Sequence, residues 1–250
     1  MNIGFLGCGT IGRAMLEDVR NRGHHQIAFV QDPFYIIEES DVYPVVTKQD
    51  EALLAKTDLV IESATADALK ENLDKILEYS DLMVFSVTAF SDETFFEHAK
   101  ELASRYARHI YLPHGAILGI DGIFDGRKLL TAVSIETVKN PKSLGRSDEE
   151  RTVVYEGSTR NACRLYPRNV NVHATVALAG IGFDKTQSRI ISDPSVHTNN
   201  HRISVDAEGI LFELVVISFS TGGVTGKYTP YSACGSLNRI LEGNEIVCFV

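Results

Sequence analysis

Three glycines near the start of the chain have the spacing of a turn that holds phosphate groups. Gly7, Gly9 and Gly12 follow a short apolar run and precede an amphipathic stretch. In a strand–turn–helix unit, the first glycine permits a tight turn, the second lets the backbone approach a pyrophosphate, and the third lets the helix pack on the strand. Backbone N–H groups at the helix start, around Thr10 and Ile11, would face the phosphates. The pattern predicts a dinucleotide-binding turn.

An acidic residue at the end of the next apolar run extends this pattern. Asp32 lies 20 residues beyond Gly12, where a carboxylate would accept hydrogen bonds from the adenosine ribose hydroxyls. No lysine or arginine lies between Gln31 and Thr47 to neutralise a 2′-phosphate. We therefore expect NAD as the cofactor, with NADP as the alternative. A glycine turn in some other α/β protein is the competing interpretation, but it leaves the position of the acid unexplained.

The elements that must position these residues follow in order along the chain. Apolar strand-like runs alternate with amphipathic helical stretches through residue 112, which predicts an α/β domain with a parallel, doubly wound sheet of the Rossmann type. Ligands of such sheets lie beyond the carboxyl ends of the strands. We therefore expect the small residues that follow two further strands to join the cofactor site: Ser63, Ala64, Thr65, Thr88 and Ala89.

The sequence pattern changes after residue 112. A glycine-rich segment leads into several strand-like runs with helical stretches between them. This pattern predicts a second, α+β domain over 113–230, built on a mostly antiparallel sheet with helices on one face, which would carry substrate binding and catalysis. The segment 139–150 is predicted to be a charged, flexible loop. A helix within about 231–250 is expected to pack back on the first domain, 1–112.

Composition excludes several classes of function. A net charge of −9 makes non-specific binding to nucleic acid or to an anionic membrane an unfavourable interpretation. No apolar run reaches membrane-spanning length, and the chain starts with a strand rather than a basic segment and an apolar signal core. The four cysteines show no metal-binding spacing, so we expect no metal and reduced thiols in a cytoplasmic protein.

The second half contains short sequence blocks in a fixed order. They are PHGAI at 113–117, EGS at 156–158, YPRNVNVHAT at 166–175, ALAG at 177–180, SDP at 192–194 and NNHRI at 199–203. In these blocks, and along nearly its whole length, the chain resembles the L-aspartate dehydrogenase family. The resemblance implies oxidation of L-aspartate to iminoaspartate, or to oxaloacetate and ammonia, or the reverse reaction. Some members of that family supply iminoaspartate for NAD biosynthesis.

By this resemblance, His201 occupies the position of the family's catalytic histidine. The chemistry agrees, because the amine loses a proton while a hydride leaves Cα, and a base with a pKa near neutrality suits that step. The competing interpretation is a histidine at a strand start that makes a structural hydrogen bond.

Further site residues are expected around the same substrate. Asn171 and Thr175 are four residues apart, so on a helix they share a face that could meet a carboxylate. Asn169 is predicted to cap that helix. The resemblance adds His114, Gly115, Ala116 and Asn200 to the substrate site and Ile117 to the cofactor site.

The chain also departs from the family's pattern. The family usually has serine or alanine at the position of His114 and alanine at the position of His173. A family block near the cleft, N-P-K-T-S, is replaced here by Gly226–Pro230, which keeps only the threonine in place. Cations available for a dicarboxylate substrate are Arg160, Arg164, Arg168, Arg202 and Lys227.

Three hypotheses about function remain open at this point. The first is an NAD-dependent aspartate dehydrogenase, and the second keeps the fold and cofactor but changes the substrate to another amino acid or an imine. The third is a dinucleotide-binding protein without catalysis. We also expect a homodimer, because two-fold dimers are the commonest assemblies and an exposed sheet face of the second domain could form the contact.

Overall fold

A computed structural model describes residues 1–219 and 226–243. The chain forms two compact units. The first contains Met1–Pro113 together with the described residues from Pro230 onward, and the second contains His114–Thr229. No helix in the described part is both long and apolar enough to cross a bilayer.

The first unit is built on six strands that pair only in parallel. They are β1 (Asn2–Leu6), β2 (Gln26–Gln31), β3 (Val45–Val46), β4 (Leu59–Glu62), β5 (Asp81–Val84) and β6 (Ile110–Tyr111), in the sheet order β3-β2-β1-β4-β5-β6. The strand order reverses direction at β1, where β2 lies on one side and β4 on the other. The predicted parallel, doubly wound sheet is therefore confirmed.

Helices connect these parallel strands. They are α1 (Thr10–Arg22), α2 (Glu51–Leu54), α3 (Ala66–Tyr79) and α4 (Glu93–Arg105). Asp50, Thr65 and Asp92 begin α2, α3 and α4, because each side chain accepts a hydrogen bond from a first-turn N–H.

In its described residues, the second unit contains three helices and a five-stranded sheet. The helices are α5 (Ile120–Gly126), α6 (Thr159–Leu165) and α7 (Asn171–Ala179). The strands are β7 (Leu130–Lys139), β8 (Thr152–Ser158), β9 (Gln187–Ser192), β10 (Thr198–Ala207) and β11 (Ile210–Phe219), in the order β11-β10-β7-β9-β8. Among the described strands of this sheet, only β7 and β9 pair in parallel, so the predicted, mostly antiparallel sheet is confirmed.

Alternation along the central strands separates a buried from an exposed face of this sheet. Ile135 and Ile203 pack with Ile123 of α5 and Val176 of α7 in one apolar cluster. Arg202, next to Ile203 on β10, is exposed. Because successive side chains of a strand point to opposite faces, the helices cover one face of the sheet and leave the other exposed.

The last described helix, α8 (Tyr228–Glu242), belongs mainly to the first unit. Ala233 and Leu237 are fully buried in the apolar cluster that contains Met15 of α1. Glu242 forms an ion pair with Arg22 at the end of α1. The remainder of the predicted helical segment, 244–250, lies outside the described residues.

A 3-10 segment, Val87–Ser91, follows the end of β5 at Val84. One predicted segment differs from the structure. The segment 139–150, predicted to be a flexible loop, begins with Lys139 as the last, buried residue of β7 and continues into a 3-10 turn, Pro141–Leu144. Its high charge suggested a solvated loop, but tertiary packing encloses Lys139.

Candidate functional site

The glycine turn of the first unit has the geometry that the sequence predicts. Gly7 has φ +81°, and a Cβ on it would lie 2.7 Å from the backbone nitrogen of Ala64. A Cβ on Gly12 would lie 2.6 Å from the carbonyl oxygen of Gly7 and 2.6 Å from Ser63 Oγ. Both positions therefore need glycine for close packing of β1, α1 and the segment after β4.

Gly9 differs from its two neighbours because the space beside it is open. No described heavy atom lies within 4 Å of a Cβ placed on Gly9. Gly9 precedes α1, and among the described residues no side chain caps this helix end. The first-turn N–H groups, including those of Thr10 and Ile11, have no partner within the helix. An open approach to unpaired N–H groups fits the pyrophosphate of a dinucleotide.

The residues predicted after β4 lie against this turn. Ser63 Oγ donates a hydrogen bond to the carbonyl oxygen of Gly7 at 2.9 Å, and Ala64 is the residue that a Gly7 side chain would strike. Thr65 accepts a hydrogen bond from the Ala68 N–H at the start of α3. The turn and the carboxyl end of β4 are thus one packed structure.

Thr88 and Ala89, also predicted for the cofactor site, are buried in the 3-10 segment after β5. Their side chains are only 5% and 2% exposed, so they present little surface to a ligand in this unit.

A buried carboxylate that sequence reasoning missed joins the ends of β4 and β5. Glu62 is fully buried, and burial raises its pKa. Its two oxygens accept four hydrogen bonds, from the N–H groups of Ala64, Phe85 and Ser86 and from Ser86 Oγ. Glu62 therefore holds the loop segments that follow both strands. The only signal in the sequence is an acid that ends an otherwise apolar strand.

Asp32 lies at the carboxyl end of β2 beside the glycine turn. Its Oδ2 accepts a hydrogen bond from the Cys8 N–H at 2.7 Å, and its Oδ1 accepts one from the Phe34 N–H at 2.8 Å. Arg13, in the first turn of α1, forms an ion pair with Glu38 at 3.0 Å. The carboxylate is therefore fixed in orientation at the strand end, as a ribose-binding acid requires.

The second unit buries His201 in a polar cluster. His201 on β10 is directly opposite Thr137 on β7, and His201 Nδ1 lies 2.8 Å from Thr137 Oγ1. The same hydroxyl lies 2.7 Å from Nε2 of His173 on α7. His201 Nε2 has no hydrogen-bond partner among the described residues, and it keeps some exposure to solvent. One imidazole nitrogen is thus fixed while the other is available.

Burial lowers the pKa of both imidazoles. The pKa of His201 falls to about 3, mainly because burial disfavours the charged form and secondarily because of the Lys139 charge. The pKa of His173 lies well below its ordinary value, first because of burial and then because of the charges of His201 and Lys139. A lowered pKa of His201 means that the ring is neutral at physiological pH and able to accept a proton.

Lys139 is a second functional candidate that sequence reasoning missed. Its side chain is 4% exposed, and burial lowers its pKa to about 8. Its ammonium donates to the carbonyl oxygen of Asn169 at 3.4 Å, and no carboxylate of the described residues pairs with it. A buried cation without a counter-ion is costly for the fold and suits an anionic ligand.

The structure changes two assignments around α7. The residue before the helix is Val170, and no described side chain caps α7, so the predicted cap by Asn169 is wrong. Thr175 and Asn171 are indeed neighbours on the helix, but the Thr175 hydroxyl donates to the Asn171 carbonyl oxygen at 3.0 Å. This leaves only the lone pairs of the Thr175 hydroxyl for a ligand.

On β10, the asparagine next to His201 faces away from it. Asn200 alternates with His201 and lies on the opposite face of the strand, where it accepts a hydrogen bond from Thr198. Asn199, which is 7% exposed, shares the buried face with His201. The sequence block was correctly placed, but the strand's alternation selects Asn199 rather than Asn200 as the neighbour of the histidine.

The segment that opens the second unit is a turn followed by a core residue. The Ile117 N–H donates to the His114 carbonyl oxygen, and Gly115 has φ +58°. His114, Gly115 and Ala116 are partly exposed and thus accessible, as a ligand site requires. Ile117 is fully buried in the apolar cluster of this unit, so its side chain does not face a cofactor.

The predicted cationic candidates lie on the surface. Arg160 pairs with Asp184 at 2.6 Å, and Arg202 pairs with Glu213 at 2.8 Å. Arg164, Arg168 and Lys227 are exposed. Lys139 is the buried cation near His201, and none of the five candidates replaces it.

Each of the two units matches the profile of a known protein family. The profile of the family described as "Aspartate dehydrogenase, C-terminal" matches residues 124–240, and that described as "Homoserine dehydrogenase, NAD binding domain" matches residues 7–113. L-aspartate dehydrogenase from Methanosarcina barkeri is 34% identical over 98% of this chain and 99% of its own.

A second relative and a solved structure extend the match. L-aspartate dehydrogenase from Methanopyrus kandleri is 31% identical over 98% of this chain and 98% of its own. The crystal structure of aspartate dehydrogenase from Thermotoga maritima superimposes with a TM-score of 0.82 at 27% identity, covering 100% of this chain and 99% of its own. The resemblance noted in the sequence is confirmed, and the chain belongs to the L-aspartate dehydrogenase family of NAD(P)-dependent amino-acid dehydrogenases.

Proposed function

We propose that this chain catalyses the NAD-dependent oxidation of L-aspartate to iminoaspartate, which water converts to oxaloacetate and ammonia, or the reverse of this reaction. The observation that carries the proposal is that the buried cation Lys139 lies two residues from Thr137 on the same face of β7, and Thr137 holds the buried His201. A base and an unpaired cation together suit a substrate that carries both an amine and carboxylates.

The reaction separates a hydride and a proton from the substrate. The nicotinamide ring of a bound cofactor would accept the hydride that leaves the substrate Cα. His201 Nε2 takes the proton from the amine, or from a water beside it, while Thr137 holds Nδ1. A substrate carboxylate near the ring would raise the pKa of His201 from about 3 towards neutrality, because a negative charge favours the imidazolium.

Lys139 is the proposed partner for a substrate carboxylate. Its pKa of about 8 keeps it mostly protonated at neutral pH, and its ammonium touches only a carbonyl oxygen among the described residues. A substrate carboxylate would form a charge-assisted hydrogen bond with this ammonium, which has no anionic partner among the described residues. Asn171 and Asn199 are the neighbouring amides proposed to complete the substrate site, together with the segment at His114–Ala116.

NAD is the proposed cofactor, with NADP as the alternative. Asp32 directly follows β2, and its carboxylate accepts from the Cys8 N–H of the glycine turn, where it would repel a 2′-phosphate and accept hydrogen bonds from ribose hydroxyls. Arg13, the basic residue in the first turn of α1, is already paired with Glu38. The proposed cofactor contacts are the turn from Gly7 to Gly12, Asp32 and the segment Ser63–Thr65.

Three further proposals concern the compartment, the oligomeric state and the metabolic role of the enzyme. We propose that the enzyme works in the cytoplasm, where thiols such as Cys8 and Cys234 stay reduced. We propose a homodimer formed through the exposed sheet face of the second unit. Release of iminoaspartate in the oxidative direction would let the enzyme serve NAD biosynthesis.

A different amino acid or imine is the second candidate substrate. It is favoured by the segment Gly226–Pro230, which differs from the family's block, while residues 220–225 beside it lie outside the described part of the chain.

The first experiment measures initial rates with NADH, oxaloacetate and ammonia, and with NADPH in place of NADH. Pyruvate, 2-oxoglutarate and glyoxylate serve as alternative acids, and His201→Asn is assayed beside the wild type. We expect turnover with oxaloacetate and NADH and a loss of about 100-fold or more in kcat for the variant, the usual contribution of a positioned base.

The possible outcomes separate the hypotheses. Turnover with another keto acid but not with oxaloacetate would refute aspartate as the substrate and support the second candidate. NADH binding without turnover of any acid would support a non-catalytic protein. Full activity of His201→Asn would refute the role of His201 while leaving the substrate assignment intact.

A further inference from the structure

His201 is the end of a longer chain of buried polar groups that the reaction does not itself require. The other end lies at the start of α6, where Thr159 Oγ1 is 3.0 Å from the carbonyl oxygen of Thr186 and 2.7 Å from Ser188 Oγ on β9. All three residues are 0–1% exposed. A carbonyl oxygen can only accept, so the single hydroxyl proton of Thr159 is used towards Thr186.

This use of one proton determines the direction of each following hydrogen bond. Thr159 Oγ1 must accept from Ser188, whose hydroxyl proton is then used, so Ser188 Oγ must accept from His173 Nδ1 at 2.9 Å. His173 is fully buried and neutral, so Nε2 of its ring carries no proton and accepts from Thr137 Oγ1 at 2.7 Å. Thr137 Oγ1 in turn accepts from His201 Nδ1 at 2.8 Å.

We infer that Thr159, Ser188, His173 and Thr137 are positioning residues that fix His201 in the tautomer with its proton on Nδ1 and a lone pair on Nε2. This inference rests on the proposed role of His201 as the base. The opposite tautomer would place a proton on Nε2, and a neutral ring in that form cannot accept one there.

The chain of hydrogen bonds orients the base but does not conduct protons. It ends at a backbone carbonyl oxygen in the interior, which neither releases nor takes up a proton. When His201 gains a proton on Nε2, its Nδ1–H and all the other hydrogen bonds keep their direction. The ring therefore cycles between neutral and charged forms without rearrangement of the network, which is the preorganisation that acid–base catalysis favours.

The direction of these hydrogen bonds depends on Thr159, at the end of the network farthest from His201. Replacing Thr159 therefore tests the inference. In Thr159→Val the hydroxyl that receives the Ser188 proton is gone, and Ser188 can donate to His173 Nδ1 instead. His173 would then carry its proton on Nε2 and donate to Thr137, which would donate to His201 Nδ1. A change four hydrogen bonds away would thus move the proton of His201 from Nδ1 to Nε2.

The experiment is two-bond ¹H–¹⁵N correlation of the full chain with ¹⁵N-labelled histidine, recorded without cofactor. His201 and His173 signals are assigned from His201→Asn and His173→Asn. We expect the Nδ1–H tautomer of His201 in the wild type and a substantial Nε2–H population in Thr159→Val. Ser188→Ala, which removes the acceptor of His173 Nδ1–H, provides a second variant with the same expectation should Thr159→Val fail to fold.

Controls separate this effect from a general loss of a buried hydroxyl. Thr57→Val in the first unit removes a buried threonine hydroxyl that also donates to a backbone carbonyl, and it should leave the His201 tautomer unchanged. Thr159→Ser retains the hydroxyl and should restore the wild-type spectrum. In steady-state assays, Thr159→Val should lower kcat by about 10- to 1000-fold with little change in KM, as expected for a base in the wrong tautomer.

An unchanged His201 tautomer in both Thr159→Val and Ser188→Ala would overturn the inference. The Nε2–H tautomer in the wild type would overturn it as well. The spectra need no catalytic turnover, so they remain decisive even if the substrate proposal fails, and the His201→Asn rates test that proposal separately.

Discussion

The buried charge of Lys139 destabilises the fold, and the same charge is the proposed partner of a substrate carboxylate. It is 4% exposed at the end of β7, its pKa is lowered to about 8 by burial, and its ammonium has only a carbonyl oxygen as a partner among the described residues. Replacing a buried, uncompensated charge by an apolar side chain of similar length usually stabilises a fold. We therefore expect opposite effects of Lys139→Met on stability and on substrate binding.

For activity, Lys139→Met should raise the KM for oxaloacetate by about 30-fold, equivalent to the loss of about 2 kcal/mol from one charge-assisted hydrogen bond. The affinity for NADH should not change, which fluorescence titration can measure. Lys142→Met, three residues along the chain and exposed, is the matched control and should behave as wild type. An unchanged KM in Lys139→Met would remove Lys139 from the substrate site.

For stability, the sign follows from the lowered pKa of Lys139. Below about pH 8 both folded and unfolded chains hold the proton, and the folded state bears the full cost of a buried charge. Between about 8 and the ordinary 10.5 only the unfolded state keeps it, so the Lys139 contribution to the free energy of unfolding rises with pH. Urea unfolding at pH 7.5 and 10 should show a rise about 2 kcal/mol larger in wild type than in Lys139→Met.

At the scale of elements, the glycine turn separates packing from ligand binding. Gly7 and Gly12 are restricted by β4 and its following segment, whereas Gly9 has open space beside it and an ordinary φ of −74°. The same substitution to alanine should therefore have different consequences at positions only a few residues apart.

Gly9→Ala should leave the free energy of unfolding within about 1 kcal/mol of wild type, because a helix start tolerates alanine at modest cost. Its dissociation constant for NADH should rise at least about tenfold, because the new methyl group occupies the approach of the pyrophosphate. Gly7→Ala should instead lose about 1–3 kcal/mol of stability, since φ is positive there and the Cβ strikes Ala64. Urea unfolding and fluorescence titration measure the two quantities. Unchanged NADH affinity in Gly9→Ala would contradict the proposed cofactor site.

The whole molecule presents an apolar stripe on the edge strand of the second unit. Three alternate residues at the end of β11, Val215, Ile217 and Phe219, are 55%, 55% and 68% exposed. A contiguous exposed apolar patch on a folded chain commonly marks an association surface. The proposed homodimer would cover this stripe.

Ile217→Lys should therefore convert a dimer of 27.6 kDa chains into a monomer, because a lysine within the contact would be buried without a partner. Size-exclusion chromatography with light scattering measures the mass. Leu165→Lys, an exposed leucine on α6 of the same unit, is the control and should leave the mass unchanged. A wild type that is monomeric at all concentrations would refute the dimer.

The sequence by itself determined the parallel sheet, the glycine turn and the position of Asp32, because these features depend on residues that are neighbours in the chain. The alternation of strands with helices and the glycine spacing are local patterns, and each has one dominant structural solution. The mostly antiparallel second sheet was also predictable from its succession of strand-like runs. The family's sequence blocks brought attention to His201, although its pKa and partners were not readable from them.

Only the tertiary structure decided which side chains meet. Thr137 and His201 are 64 residues apart and contact through the pairing of β7 with β10, and His173 joins them from α7. Asn199 rather than Asn200 accompanies His201, because a shift of one residue in a strand reverses the face. In the sequence, Glu62 and Lys139 were recognisable only as the end of a strand and the start of a charged loop. Their burial and their partners arise from elements distant in sequence, which local pattern and composition do not report.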